Sequence, residues 1–176
     1  MPASFIPKPQ PNEYNPYFDK YISLIPEGDV LALLQTQVQE TVQMLSRVPE
    51  ARAGFRYAAN KWSIKEAVGH MCDTERIMAY RALRVGRGDT KPLPGFEQDD
   101  YIKTANFEQR SLEDLTREFA MIRQTTLVLF RNFEEAALMR MGTASDAPIS
   151  VRALIYIVAG HERHHVRIFK EKYQLS

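Results

Sequence analysis

The sequence predicts an all-α protein built on a four-helix bundle. Four long segments carry apolar residues at spacings of three and four, each follows a helix-capping residue, and no credible pair of strands accompanies them. With 176 residues, 44% hydrophobic and 26% charged, the chain is long enough for one core and short for two. We therefore expect a single domain over residues 1–176, with an N-terminal arm over 1–27 packed on a bundle over 28–176.

The arm is rich in proline and aromatic residues. Six of the ten prolines fall within the first 26 residues, which excludes a long helix at the start of the chain. Its apolar side chains are sufficient to lie against a core, and they are Tyr14, Tyr17, Phe18, Tyr21, Ile22 and Ile25. We expect an ordered, mostly irregular arm.

The first two bundle helices have recognisable ends. Asp29 is placed to cap a first helix, which Pro49 terminates. Ser63, followed three residues later by Glu66, predicts the start of a second helix of roughly six turns. Gly86 follows the last periodic turn of this helix and is a typical end signal.

The second half of the chain contains two breaks and two helices. Prolines and a glycine within residues 91–109 predict a long surface connection with room for one short helix. Ser111 begins a third helix that extends to about Phe133. Residues 141–150 are expected to form a plain break, after which Ser150 caps the last helix.

Composition limits the partners and the location. Lys and Arg total 23 against 22 Asp and Glu, and no long block of one sign occurs, so neither nucleic acid nor an acidic membrane is an expected partner. No run approaches the roughly 20 apolar residues that span a bilayer, and the N-terminus does not resemble a secretory signal. The single cysteine, Cys72, favours a reducing compartment, so we expect a cytoplasmic protein.

Three of the four histidines lie in the pentapeptide HERHH at residues 161–165. At about 100 degrees per residue, His161 and His165 fall in the apolar stripe of the last helix, whereas Arg163 points the opposite way. Residues four apart have Cβ atoms about 6 Å apart, so two imidazoles can reach one ion at about 2.0 to 2.1 Å. His164 lies at the edge of the stripe, and we expect it at the rim of any site.

The fourth histidine, His70, lies on the core-facing side of the second helix. A catalytic zinc site usually has three protein ligands and an open position, so His70 is the candidate third ligand. Cys72 points nearly opposite that side and is excluded. The alternatives are that His70 is an ordinary hydrogen-bonded core residue and that HERHH is a polar patch.

Three segments carry a resemblance to a known family: KWSIKEAVGHMCDTERIMAYRALRVGRGD, PLPGFEQDDY and VRALIYIVAGHERHHVRIFKEKY. Together they resemble the DinB-like superfamily of four-helix metalloproteins, which includes proteins similar to bacillithiol S-transferases. The resemblance implies an up-down-down-up bundle in which His70, His161 and His165 hold one divalent transition metal, zinc or nickel above all. It also implies a small-molecule thiol or electrophile as partner, and a homodimer.

Three functions are compatible with these features. The first is a metal-dependent S-transferase or hydrolase that activates a thiol or water, with candidate orienting or proton-carrying residues Asp73, Glu75, Glu162 and His164. The second is a non-catalytic metal-binding or stress-associated protein. The third is a zinc protease with Glu162 as base, but Ile168 and Glu171 occupy positions where a metzincin needs glycine and histidine.

Two further features of the second helix have alternative interpretations. Its basic run, Arg76, Arg81, Arg84 and Arg87, is expected to form a solvated face with acidic partners, with anion binding as the alternative. Trp62, just before the cap, is expected to staple the helix start, although it could also contact a substrate at a pocket mouth.

Overall fold

A computed structural model of the chain describes residues 5–176, so the first four residues of the predicted arm lie outside the described part. The helices are α1 (Asp19–Ile22), α2 (Val30–Ser46), α3 (Ile64–Gly86), α4 (Gln98–Thr104), α5 (Leu112–Arg131), α6 (Glu135–Leu138) and α7 (Val151–Glu171). One antiparallel hairpin is formed by β1 (Met141–Ala144) and β2 (Ala147–Ser150). Short 3-10 turns occur at Pro11–Glu13, Pro16–Phe18, Glu50–Arg52 and Phe107–Gln109.

The four long helices α2, α3, α5 and α7 form the predicted bundle, and its apolar core consists of two clusters at opposite ends. The first cluster joins the starts of α2 and α7 to the ends of α3 and α5, through Val30, Val151, Val85 and Phe130. The second cluster joins the opposite ends of the same helices, through Leu45, Phe169, Ile64 and Leu112. The directions are therefore up, down, down and up in chain order.

Side-chain caps begin these helices at the predicted residues. Asp29 accepts hydrogen bonds from the first turn of α2, and Ser63 forms a reciprocal capping box with Glu66 at the start of α3. Ser111 and Ser150 each accept a hydrogen bond from a backbone N–H three residues later. Because a capping residue satisfies orphan N–H groups locally, these starts could be predicted without tertiary information.

The prediction of a plain break at residues 141–150 was wrong, because the segment forms the β1–β2 hairpin. Its two turn residues, Ser145 and Asp146, both adopt positive φ angles of 52° and 59°. A two-residue hairpin turn requires this conformation, but the typical Asn-Gly or Asp-Gly signal is missing here. The hairpin is stabilised by another loop, since the backbone of Leu93 forms hydrogen bonds with that of Thr143 and Ser145.

The third long helix, α5, ends at Arg131, two residues before the predicted end at about Phe133.

Helix α7 is the most enclosed element of the bundle. Every residue from 151 to 162 is buried, because α2 and α3 pack on this helix from the bundle and the arm covers it from outside. Within the part of the chain that the structure describes, no helix is both long and apolar enough to cross a bilayer.

The described part of the arm packs along α7. The Tyr156 hydroxyl donates to the backbone oxygen of Ile6 at 3.0 Å. Gly160 permits the closest approach, since a Cβ at this position would lie 2.2 Å from the backbone oxygen of Tyr21. The same contact brings the Tyr21 ring against the next residue of α7, His161.

An ion pair between Glu13 and Arg152 fastens the arm to α7, with Arg152 Nε 2.8 Å from a Glu13 carboxylate oxygen. Burial by itself raises the pKa of Glu13, but hydrogen bonds from Arg152 and Ser150 hold it below the usual 4.5. Since this folded-state pKa is depressed, the stabilisation is present above pH 4.5 and is lost as the pH falls through the folded-state value.

We therefore expect Glu13→Gln to lower the free energy of unfolding by about 1 to 3 kcal/mol near pH 7. The difference from wild type should shrink steadily as the pH falls below 4.5, because the wild-type carboxyl then becomes neutral as well. Urea unfolding of both proteins across this range measures the difference. A difference that stays constant with pH would contradict the ion-pair explanation.

Candidate metal centre

Three histidine side chains converge in the layer between the two apolar clusters. The Nε2 atom of His161 lies 3.0 Å from Nε2 of His70 and 3.2 Å from Nε2 of His165. One nitrogen from each ring can be chosen so that all three lie within 4.8 Å of one another. Two ligands of a tetrahedral zinc ion are about 3.3 Å apart when each bond is about 2.05 Å long. The observed separations therefore suit a shared ion.

Two helices position these rings. His161 and His165 are one turn apart on α7, while His70 lies on α3, which packs against α7 in the opposite direction. The three residues are only 5%, 6% and 7% exposed for His70, His161 and His165 respectively. In residues 5–176, no other group of three or more His, Cys, Asp or Glu side chains is arranged to hold a metal.

The environment keeps the three imidazoles neutral. Burial lowers the pKa of His70 to about 4. Burial also holds the pKa values of His161 and His165 well below the usual 6.5, and the other histidines add to the effect by mutual repulsion. A neutral imidazole is the form that binds a metal, so the site needs no deprotonation step near neutral pH.

Aromatic rings enclose the histidines. The Trp62 ring centroid lies 4.6 Å from that of His70, and the Tyr21 ring meets His161 edge-on at 5.3 Å. Trp62 therefore contacts a histidine of the cluster in addition to preceding the α3 cap. His164 is half-buried beside Tyr21, also at 5.3 Å, and lies outside the group of three converging histidines.

Glu162 belongs to a different network from the histidines. Its carboxylate accepts hydrogen bonds of 2.6 Å from Thr41 and from Arg123. Glu162 also lines a void of about 10 Å³ together with His161. The expectation that Glu162 serves as an orienting or proton-carrying residue stays a prediction, and it would require Glu162 to act while it is bound to Arg123 and Thr41.

Asp73 is also separate from the histidine cluster. Its carboxylate lies 3.7 Å from Arg76, and among the described residues it makes no hydrogen bond to a histidine. Burial raises the pKa of Asp73, and Arg76 partly opposes this effect. The structure places Asp73 in an ion pair with Arg76, and its expected role as an orienting or proton-carrying residue stays a prediction.

The buried network around Arg123 was missed by the sequence analysis. Arg123 is 0% exposed and donates two hydrogen bonds to Glu75, at 2.8 and 2.7 Å, in addition to its bond with Glu162. The two carboxylates raise the pKa of Arg123 despite a burial effect that lowers it. A signal existed, since Arg123 falls between Phe119 and Leu127 on the apolar stripe of α5.

Two cavities large enough for a small molecule adjoin the histidines, and His70 lines both. The larger has a volume of about 510 Å³, and its lining includes Tyr21, His70, Thr74, Met78, Ile157 and His161. The smaller, of about 360 Å³, has a lining that includes Lys20, Trp62, His164 and His165. Both volumes fall within the usual range for small-molecule sites. A ligand in either cavity can reach the histidine cluster.

The interpretation of the basic run as a solvated face fails at Arg81. Arg76 is exposed and pairs with Glu118, and Arg84 pairs with Asp89, as expected for a charged surface. Arg81 is only 3% exposed and lines the larger cavity. The helical period alone could not place it there, because the wall opposite Arg81 comes from the hairpin and the α3–α4 connection.

Comparison with known proteins supports the fold. A sequence model described as the DinB superfamily matches residues 32–169. The chain is similar to the solved structure of YfiT from Bacillus subtilis, described as a probable metal-dependent hydrolase with an unusual four-helix bundle topology. The identity is 14%, the TM-score is 0.70, and the match covers 95% of this chain and 91% of that one.

A second similar structure is that of the mycothiol-dependent maleylpyruvate isomerase, with 14% identity and a TM-score of 0.67. The match covers 82% of this chain but only 61% of the isomerase chain. No curated protein matches the sequence significantly. At such identities, the structural similarities establish the fold alone.

Proposed function

The chain belongs to the DinB superfamily, and from this premise we propose that it is a metal-dependent enzyme whose ion is held by His70, His161 and His165. The observation that carries the proposal is the convergence of three buried, neutral imidazoles in a polar layer of the core. Imidazole ligands suit zinc and nickel among other transition metals, so we propose one of these two as the resident ion.

An open coordination position follows from the number of protein ligands. A structural zinc ion normally has four, whereas catalytic sites have three and keep one position for water or substrate. Within residues 5–176, no fourth His, Cys, Asp or Glu joins the histidine group. The two adjoining cavities provide access to the cluster for a ligand.

We infer that the reaction is S-transfer from a small thiol to an electrophile, or hydrolysis. A divalent ion in this site would lower the pKa of a thiol or water at its open position. The chain itself contributes the aromatic rings of Trp62 and Tyr21, which pack against His70 and His161 and line the two cavities. A fold relative described as a metal-dependent hydrolase and another described as mycothiol-dependent support these two reaction classes.

The test begins with elemental analysis of protein purified without a metal-affinity tag, followed by cobalt substitution. We expect one equivalent of metal, and a strong sulfur-to-metal absorption band when 2-mercaptoethanol is added to the cobalt protein. Fluorescence of Trp62, the only tryptophan, gives a second readout of metal binding because its ring contacts His70.

Each other outcome has a definite meaning. If the cobalt absorption spectrum does not change when a thiol or another small ligand is added, the coordination site is closed. That result would favour the non-catalytic metal-binding alternative. If the protein binds no metal, the three histidines form only a polar cluster in the core. Methyl thioether compounds serve as the matched control, since they carry sulfur but cannot form a thiolate.

The location is inferred from the composition, and the assembly from the resemblance to the DinB-like family. We propose a cytoplasmic homodimer made of a single domain over 1–176, acting on small molecules and without a nucleic-acid partner. The near balance of basic and acidic residues, 23 against 22, supports the last point. Light scattering on the purified protein would determine the number of subunits.

A further inference from the structure

Arg81 differs from the two other buried arginines in having no acidic partner. Arg123 is neutralised by Glu75 and Glu162, and Arg152 is neutralised by Glu13. By contrast, no carboxylate of residues 5–176 lies within 4.0 Å of the Arg81 guanidinium, although Arg81 is only 3% exposed. A buried charge is unfavourable unless an opposite charge compensates it.

The guanidinium of Arg81 retains unused hydrogen-bonding capacity. Its Nη2 atom donates to the backbone oxygen of Pro94 at 2.7 Å and to the Ser145 hydroxyl at 3.0 Å. Its Nη1 atom makes only a weak contact with the Met78 sulfur at 3.9 Å, and Nε has no partner among the described residues. A guanidinium has five N–H donors, so at least two remain free for a ligand.

The position of Arg81 connects it to the metal centre. His70, Thr74, Met78 and Arg81 follow one another along one side of α3 and all line the larger cavity. The Cα atoms of His70 and Arg81 are about 16 Å apart along the helix. Apolar side chains, including Met78 and Ile157, line the wall between them. The cavity thus has a histidine at one place along α3 and a guanidinium at another, with the Thr74 hydroxyl and the Met78 side chain between them.

We propose that Arg81 binds the carboxylate of the substrate, so that the site accepts an elongated organic acid whose other end lies at the histidine cluster. The proposal rests on the proposed function for the reacting end and adds the substrate class. Charge-assisted hydrogen bonds from a fixed guanidinium are the usual means of recognising a carboxylate in a desolvated pocket.

The acidic residues near this cavity do not take the place of such a ligand. Glu97 and Asp99 contribute to the lining, but both are exposed at the rim and neither forms an ion pair with Arg81. Water and salt screen exposed carboxylates, whereas the guanidinium lies in the enclosed part of the cavity. The aromatic ring of Phe96, 5.9 Å from the guanidinium carbon, adds a further contact without neutralising the charge.

The experiment compares two thiols that differ only at the far end, 8-mercaptooctanoate and 8-mercaptooctanol, by titrating the cobalt protein and following the sulfur-to-metal band. We expect wild type to bind the acid about tenfold to a hundredfold more tightly than the alcohol. Arg81→Gln should reduce this preference to within about twofold. The acid and the alcohol are compared within each variant, so a general loss of affinity does not affect the ratio.

Two control variants separate charge recognition from structure. Arg84→Gln removes an equal charge from the same helix, at an arginine that is already paired with Asp89, and should keep the preference for the acid. Ser145→Ala removes one anchor of Arg81 while keeping its charge, and should retain most of the preference. A preference lost in Ser145→Ala to the same extent as in Arg81→Gln would identify loop anchoring as the cause and overturn the proposal.

Calorimetry with octanoate and octanamide tests Arg81 without a thiol. One result would be that no sulfur-to-metal band forms, but wild type binds octanoate better than octanamide and Arg81→Gln does not. In that case the proposed function is wrong and the carboxylate site at Arg81 is supported. If the band forms equally with both thiols, or if the preference for acids persists in Arg81→Gln, the Arg81 proposal is overturned and the metal site is untouched.

Discussion

Replacement of His161 with alanine is expected to abolish the metal binding that we propose for the histidine cluster. His161 is the central member of the cluster, since its Nε2 atom contacts those of both His70 and His165. Alanine at this position leaves two imidazoles, fewer than the three protein ligands typical of a catalytic site. We expect the bound metal to fall from one equivalent to a trace, and the affinity to fall by more than about a hundredfold.

The matched control for this substitution is His164→Ala. His164 belongs to the same helix and the same pentapeptide, yet it is half-buried and outside the group that could share an ion. It should retain one equivalent of metal. His70→Ala and His165→Ala should behave like His161→Ala, because each removes one of the three ligands.

Elemental analysis and competition with a chromophoric chelator measure the outcome, and far-ultraviolet circular dichroism establishes that each variant is folded. Full retention of metal in any of the three ligand variants would contradict the assignment. Loss of metal in His164→Ala would indicate that the cluster is organised differently. The contact between Trp62 and His70 allows the same titrations to be followed by fluorescence.

Arg123→Met is expected to destabilise the fold strongly. The substitution keeps most of the apolar stem but leaves the carboxylates of Glu75 and Glu162 buried without their cation. Breaking a buried ion pair on one side costs about 3 to 5 kcal/mol, since an uncompensated charge remains in a low-dielectric interior. For a chain of this size, the melting temperature should fall by roughly 6 to 20 °C.

Arg117→Met is the control on the same helix. Arg117 pairs with Glu113 on the surface of α5, where the side chains are 63% and 82% exposed. Exposed pairs contribute little, so the loss should stay below about 0.5 kcal/mol. Urea unfolding of both variants measures the difference.

A triple variant tests the cause of the Arg123 effect. Adding Glu75→Gln and Glu162→Gln to Arg123→Met removes the two unpaired negative charges. We expect this triple variant to recover part of the lost stability. A triple variant less stable than Arg123→Met would show that the loss comes from packing and not from unpaired charge. The hydrogen bond from Thr41 can be retained by the amide oxygen at position 162.

The features that could be predicted from the sequence are those set by residues close together in the chain. Ser63 with Glu66, and Ser150 before α7, cap helices within one turn, and the apolar periodicity defines which side of each helix is buried. The pairing of His161 with His165 is equally local, because residues four apart share one face. The family followed from the same segments together with the loop between them.

The features that could not be predicted depend on residues brought together from distant parts of the chain. Arg123 pairs with Glu162, 39 positions away in the chain, and with Glu75, 48 positions away, so neither partner lies within its own helix α5. The hairpin at residues 141–150 is supported by Leu93 from another loop. No local pattern contains these partners.

The sequence by itself determined the helices, the bundle and the three candidate histidines, because capping, periodicity and four-residue spacing act over a single turn. Only the tertiary structure decided which charges are compensated: Glu162 is tied to Arg123, whereas Arg81 enters a cavity without a carboxylate. The physical reason is that the free energy of a buried charge depends on its neighbours in space, and these come from different helices and loops.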